Sequence, residues 1–325
     1  MQYKEKGRIV RGVGGLYEIR LDAGETPLSG RIVRSRAKGN FRHEGETPLV
    51  GDRVQVQYDD VAVTRYTGAE NAGVAEDGGG VVITELLPRE NALIRPPMAN
   101  LGLLFITFAA AEPAPALDTV DKLIAIAEHN RIEPVPVICK RDIDPAAADR
   151  LLELYRGAGF TAFAISSREN EGVAELRAYI DTALGGRIAA FSGASGVGKS
   201  TLLNALYPEL QLQTGEISRK IARGKHTTRR VELYPIGEGF VADTPGFSML
   251  DFIRFDFFGR EDLPYVMREF EPYLGCCRYT KCTHTKEEGC AVLAAVREGK
   301  IASSRHQSFL LMYEALKNKH DWSKK

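Results

Sequence analysis

A single tryptophan, five cysteines, no net charge and no long apolar run define what this 325-residue chain does without. With 43 Lys+Arg against 43 Asp+Glu there is no global field to draw in a polyanion, so any nucleic acid must be met by a local patch. No apolar run reaches the ~18 residues of a membrane span. Met1 to Ile9 carries charges where a signal peptide is apolar, so the expected location is cytoplasmic, with no membrane partner. Four of the five cysteines, Cys276, Cys277, Cys282 and Cys290, crowd together, which in a reducing compartment points to metal before disulfide. What is present is a 44% hydrophobic composition, ample for a core, and a length that suggests two or three domains at ~100–200 residues each.

Met1 to about Leu87 reads as short strands broken by turns: Arg8 to Val10, Gly15 to Leu21, Gly30 to Ser35, Asp52 to Tyr58, Val61 to Tyr66 and Val81 to Leu86. That pattern suits a small barrel. Asn71 to Gly80 is a loop or hairpin tip, and Arg95-Pro96-Pro97 an extended connector. From Leu101 strands and helices alternate, the signature of a parallel sheet. The expected strands are Leu103 to Phe108, Val135 to Cys139, Thr161 to Ile165 and Arg187 to Phe191, with two more within Val231 to Asp243. The expected helices are Thr119 to Asn130, Ala146 to Arg156, Val173 to Leu184 and Lys199 to Ala205. Beyond Leu250 only helices follow: Leu263 to Tyr273, Ala291 to Arg297 and Ser303 to Lys319.

The strongest chemical signal is Gly193-Ala194-Ser195-Gly196-Val197-Gly198-Lys199-Ser200-Thr201, which fits GxxxxGK[ST] after a strand and at a helix start. Glycines let successive N–H groups turn toward one anion, the helix N-terminus adds its dipole, Lys199 reaches the β/γ-phosphates, and Ser200 serves Mg²⁺. Downstream, Asp243-Thr244-Pro245-Gly246 ends an apolar strand; Asp243 suits Mg²⁺, directly or through water, and the Gly246 N–H suits the γ-phosphate. Base choice falls to Cys139-Lys140-Arg141-Asp142, which resembles the [NT]KxD box of GTPases with Cys139 in place of Asn or Thr. Asp142 can accept both N–H donors of guanine while the Lys140 stem covers the ring. Ser166-Ser167, ending the next strand, can offer N–H groups to guanine O6. Alone, KRD is also an ordinary solvated charge run; its place at a strand end lifts it above that.

These base-reading boxes precede the phosphate loop, the reverse of the ordinary order. A permutation keeps all the loops on one sheet edge if the original termini were close. Gly215 to Arg230 reads as a mobile loop in which Thr227 or Thr228 can complete the Mg²⁺ shell and His226 is the candidate to orient the attacking water. An exposed loop histidine or an RNA phosphate contact is the plainer alternative for His226. Cys277-x4-Cys282-x-His284-x5-Cys290 supplies the donors of a closed structural Zn²⁺ site, with Cys276 able to replace Cys277 on spacing alone.

Together, Ile94 to Pro97, the phosphate loop, Gly224 to Arg229, Asp243 to Phe247 and the Cys277/Cys282/His284/Cys290 cluster resemble the ribosome-small-subunit-dependent GTPase A family (RsgA, also YjeQ or YloQ). The resemblance covers nearly the whole chain. It implies a multidomain α/β protein: an OB-fold over residues 1–87 in contact with rRNA, a circularly permuted P-loop GTPase domain over 88–250, and a mainly helical zinc-binding domain over 251–325. It implies GTP/GDP, Mg²⁺ and one structural Zn²⁺ as cofactors. The implied partners are the 30S subunit and its 16S rRNA, engaged by a monomer whose GTP hydrolysis the subunit stimulates during late maturation. It places a catalytic histidine at His226. Cys139 departs from the family pattern: its weak S–H replaces a stronger polar contact, so guanine preference should rest on Asp142, with weaker affinity. A P-loop kinase would leave Lys140 and Asp142 unexplained; a non-catalytic RNA-binding module would show no turnover. Arg31, Arg34, Arg36, Lys38 and Arg42, and separately Arg219, Lys220, Arg223, Lys225, Arg229 and Arg230, are the local places for phosphate contacts.

Overall fold

The computed structural model describes residues 1–37, 41, 47–67, 80–94, 97–194, 196–208, 231–243 and 259–317. Ser195, His226, Thr227, Thr228 and Gly246 lie outside these, as do Lys38, Arg42, the basic cluster of Gly215 to Arg230 and nearly all of Asn71 to Gly80. Contact density divides the chain into two units: residues 1–102, 183–190 and 221–247, and residues 103–182, 191–220 and 248–325.

Alternating apolar residues pleat the N-terminal segment into β1 (Gln2–Val13), β2 (Leu16–Leu21), β3 (Ile32–Ala37), β4 (Arg53–Asp59) and, after helix α1 (Asp60–Thr67), β5 (Val82–Leu86). They pair in the order β1-β2-β3-β5-β4, and β4 returns to β1 from Gln2↔Asp59 to Arg8↔Arg53, closing a five-stranded barrel of OB type. Ile9, Ile19, Val33, Val54, Val56 and Ile83 fill it with no exposure at all. One expectation needs correcting here. Val61 to Tyr66 is helix α1, not a strand: the Asp59 carboxylate caps the Ala62 N–H at 3.0 Å, and Ala62 and Tyr66, four apart, bury one face. The β-branched run misled because tertiary burial outweighs propensity. Of Arg95-Pro96-Pro97 only Pro97 lies within the described residues; it opens β7 (Pro97–Ala99), which pairs antiparallel with β6 (Ala92–Ile94). Pro97 is tolerated as the first strand residue, where a missing N–H costs least.

Strands and helices then alternate: β8 (Leu101–Ala109), α2 (Leu117–His129), β9 (Glu133–Cys139), α3 (Pro145–Gly157), β10 (Phe163–Ala164), α4 (Val173–Leu184), β11 (Ile188–Gly193), α5 (Lys199–Leu206), β12 (Glu232–Ile236) and β13 (Gly239–Asp243). In the first unit, β12 and β13 form a hairpin. Residues 188–190 of β11 run parallel to β13, and β12 joins β1 at Arg11↔Glu232. In the second unit, β8, β9 and β10 are parallel, so Ala109, Cys139 and Ala164 end at one edge. Asp144 caps α3 by accepting the Ala147 N–H at 2.8 Å, with Pro145 at the first helical position.

Residues 259–317 are two 3₁₀ segments, Leu263–Val266 and Arg268–Tyr273, then α6 (Ala291–Arg297) and α7 (Ser303–Lys317). The single helix expected over Leu263 to Tyr273 is broken at Met267, which is extended at φ −107°, ψ 95° and buried. Pro264 and Pro272 donate no N–H, and only the short 3₁₀ form survives between them. Leu263, Phe270, Val292, Phe309 and Met312 share one core with Ala125 and Ile126 of α2. At its polar centre Arg305 donates to Asp121 at 2.5 Å and to Glu269 at 2.7 Å, and the Tyr155 hydroxyl donates to Asp121 at 3.1 Å. Among the described residues no helix is long and apolar enough to cross a membrane.

Candidate functional site

The phosphate loop leaves β11 beside β8. Thr107 of β8 donates its hydroxyl to the Ser192 carbonyl at 2.6 Å, which pins the loop where it leaves the strand. A Cβ on Gly193 would fall 2.1 Å from the Thr107 hydroxyl and 2.5 Å from its carbonyl, so only glycine fits. Gly196 and Gly198 adopt φ of +84° and +103°, the left-handed turns that swing backbone N–H groups inward ahead of α5. Val197 is buried beneath them as the anchor, while Lys199 begins the helix with Ser200 and Thr201 in its first turn. This is the backbone geometry an anion cradle requires, with a lysine and a hydroxyl, Lys199 and Ser200, at the start of the helix.

The two loops expected to read the base are tied to each other. The Arg141 N–H donates to the Ile165 carbonyl at 3.0 Å, and the Arg141 guanidinium pairs with Glu171 and, at 3.0 Å, with Asp149. The Ser166 hydroxyl donates to the Asp142 carboxylate at 2.6 Å, fixing the group assigned to guanine. The Ser166 N–H is engaged by the Glu171 carbonyl at 3.0 Å, so of the two serines Ser167 is the one whose N–H that bond does not occupy. Lys140 sits at φ +59° and its ammonium donates to the Glu112 carbonyl. Cys139 is buried in β9 with its Sγ 3.8 Å from the Val137 carbonyl, and burial pushes its thiol up to about 12. It is a neutral packing group. Asp243 closes β13 by backbone pairing with Glu232.

The Cys277, Cys282, His284 and Cys290 donor atoms all lie within 4.8 Å of one another. Cys277 Sγ is 3.9 Å from Cys290 Sγ, and His284 Nδ1 is 3.6 and 3.5 Å from the Cys277 and Cys290 sulfurs. Zn–S and Zn–N bonds of about 2.3 and 2.05 Å at tetrahedral angles require about 3.8 and 3.6 Å for these separations. The residues therefore fit tetrahedral Zn²⁺. Cys276 is exposed and not among these four donors; its Sγ lies 4.0 and 3.9 Å from the Pro272 and Leu274 carbonyls, which favours Cys277 as the ligand. Burial pushes the Cys282 thiol up to about 12 and the Cys290 thiol upward, so thiolates here need a cation to offset their charge. Burial lowers the pKa of His284, leaving the neutral imidazole that a metal takes.

Sequence reasoning missed what holds this site. Thr107 and Glu112 carry no motif. Glu287 accepts the Thr283 N–H at 3.0 Å, the Thr283 hydroxyl, and the Thr285 and Lys286 N–H groups at 3.0 and 3.1 Å. Burial opposes its charge, but these donors outweigh burial and hold it down at about 2. Glu287 thus clasps the loop that presents His284 at φ +57°, and His306 Nε2 lies 2.9 Å from the His284 carbonyl. Glu287→Ala is expected to speed zinc loss to a chelator by about 10–100-fold, with Glu287→Gln in between, as read by a colorimetric zinc indicator.

A family model described as RsgA GTPase matches residues 86–253, and one described as RsgA N-terminal domain matches residues 6–63. The Small ribosomal subunit biogenesis GTPase RsgA of Caldanaerobacter subterraneus subsp. tengcongensis is 39% identical over 97% of this chain and 96% of its own. Its namesake from Enterococcus faecalis is 37% identical over 98% of both chains. Among solved structures, YjeQ from Thermotoga maritima superposes with a TM-score of 0.78 at 28% identity, covering 98% of this chain and all of that one. YloQ, a circularly permuted GTPase, gives 0.74 at 29% identity over 98% of this chain and 96% of that one.

Proposed function

The chain belongs to the RsgA GTPase family, and from that membership we propose an enzyme that hydrolyses GTP to GDP and phosphate on the small ribosomal subunit and assists its late maturation. One observation carries the reading: two strand-end loops with the chemistry of guanine recognition, tied together through Asp142 and Ser166, precede a glycine-built phosphate loop on the same chain. A P-loop kinase has no use for the first pair.

Within this reading residues 1–87 are the rRNA-contacting OB-fold, 88–250 the permuted GTPase domain and 251–325 the zinc domain. Asp142 accepts the guanine N–H pair, Ser167 offers its N–H to O6, and Lys140 covers the ring. Gly193 to Thr201 cradle the phosphates, with Lys199 neutralising the β/γ-oxygens. Ser200, Asp243 and one of Thr227 and Thr228 hold Mg²⁺, which supplies charge neutralisation on the phosphates. The Gly246 N–H faces the γ-phosphate, and His226 orients water. The partners are the 30S subunit and 16S rRNA, the chain acts as a monomer, and its place is the cytoplasm. Arg34 is ion-paired with Glu18 at 2.9 Å, which leaves the exposed Arg31 and Arg36 as the better phosphate contacts on the barrel.

GTP turnover is expected to rise on adding purified 30S subunits, and ATP to displace GTP poorly. Turnover indifferent to subunits, or equal displacement by ATP, would overturn the reading. His226→Ala should lower turnover and leave nucleotide affinity nearly intact, as measured by phosphate release and nucleotide titration.

A further inference from the structure

Between the first two zinc-ligand positions the chain makes a tight turn, Arg278-Tyr279-Thr280-Lys281, in which all four residues are exposed. The turn is braced at both ends: the Cys282 N–H donates to the Tyr279 carbonyl at 3.2 Å, and the Arg278 N–H donates to the Gly289 carbonyl at 3.0 Å. Tyr279 is 49% exposed, and the Arg278 guanidinium lies over its ring, 5.6 Å from the centroid. Nothing in GTP binding or in the metal cluster uses this tyrosine. Half-exposing a large aromatic ring at the tip of a hydrogen-bonded turn, with a cation on the ring and a lysine two residues on, leaves a π-surface available to solvent. Of the acidic residues on the adjoining loop, Glu287 is turned inward onto the Thr283 to Lys286 backbone, and the exposed Glu288 is offset by the exposed Lys286, which leaves Arg278 and Lys281 as the net charge of the tip.

We propose that the Arg278–Lys281 turn is a stacking platform for an unpaired RNA base, with Tyr279 as the stacking surface and Arg278 and Lys281 neutralising the flanking phosphates. This rests on the small-subunit reading above and adds to it a particular contact: a single-stranded nucleotide read by its π-face. Every base has such a face, and stacking on an exposed aromatic is worth about 5- to 150-fold in affinity per base. The turn is held in place before binding, so little ordering is required when the base arrives. Charge complementarity favours RNA over a protein partner for this tip.

The test uses the full zinc-loaded chain, two fluorescent probes of equal length (a single-stranded oligoadenylate and its abasic counterpart) and purified 30S subunits with GTP. Tyr279→Ala is expected to weaken oligoadenylate binding by about 5- to 150-fold, leave abasic binding unchanged, and leave zinc content and subunit-free GTP turnover as in the parent. Tyr279→Phe should restore the affinity, because the ring and not the hydroxyl stacks. Lys281→Gln should reduce the salt slope of oligoadenylate binding by about 0.7. Oligoadenylate affinity unchanged in Tyr279→Ala overturns the platform. So does a loss confined to 30S binding, which would place a ribosomal protein or a structured surface against the turn. Failure of the parent chain to associate with 30S subunits would overturn the functional reading instead, whatever the oligonucleotide result.

Discussion

Gly193→Ala is expected to abolish useful GTP binding. The added methyl would sit 2.1 Å from the Thr107 hydroxyl and 2.5 Å from the Thr107 carbonyl, well inside any tolerable contact. The carbonyl is backbone within β8 and cannot rotate away, so the loop must lift. Overpacking of this kind costs about 3 kcal/mol of stability. The larger effect is on the ligand: displacing the first residue of a phosphate cradle by about 1 Å costs on the order of 100-fold. Nucleotide titration and thermal melts measure the two separately. A Gly193→Ala/Thr107→Ala double variant should recover only part of the loss, because it removes the hydroxyl and leaves the carbonyl. Full recovery would mean that the side chain alone, and not the strand, limits the space.

Arg305→Ala is expected to destabilise the protein by about 3–5 kcal/mol, because Asp121 and Glu269 would be left buried without their cation. Arg305 and Asp121 are each 1% exposed. Burial works against the guanidinium, and the two carboxylates outweigh it and raise its pKa. Burial also raises the pKa of Asp121, even with Arg305 beside it. A carboxyl raised in the folded state contributes most when protonated, and that contribution is lost as pH rises through the folded value. Without Arg305 the upward shift grows. The deficit should therefore be largest at neutral pH and shrink as pH falls toward the ordinary aspartate range. Urea melts at several pH values read this directly; a deficit that widens on acidification would sink the assignment. Arg305→Met, which fills the volume without the charge, should behave like alanine at neutral pH.

The motif loops were more legible in the sequence than the elements around them. Spacing alone located the phosphate loop, because the chemistry fixes which positions are glycine, lysine and serine. The two loops expected to read the base follow β9 and β10, because parallel strands deliver their ends to one edge. Val61 to Tyr66 was misread because β-branched residues look like strand until one knows that Asp59 caps Ala62. Leu263 to Tyr273 was read as one helix because apolar spacing hid the effect of two prolines. The choice between Cys276 and Cys277 was beyond any spacing argument, since adjacent residues differ only in where their side chains point. Thr107 and Glu287 escaped notice for a related reason: each acts on a motif without belonging to one.

The core shared by residues 259–317 with Ala125 and Ile126 of α2 bears on how this protein can be dissected. A chain cut after residue 250 would bring those apolar side chains into water and strip Asp121 of its partner Arg305. The nucleotide-binding stretch is therefore not excisable at the boundary its motifs suggest. A truncation there should aggregate or melt early, whereas the same cut made by protease in the folded protein should leave the fragments associated until the apolar seam is opened by denaturant.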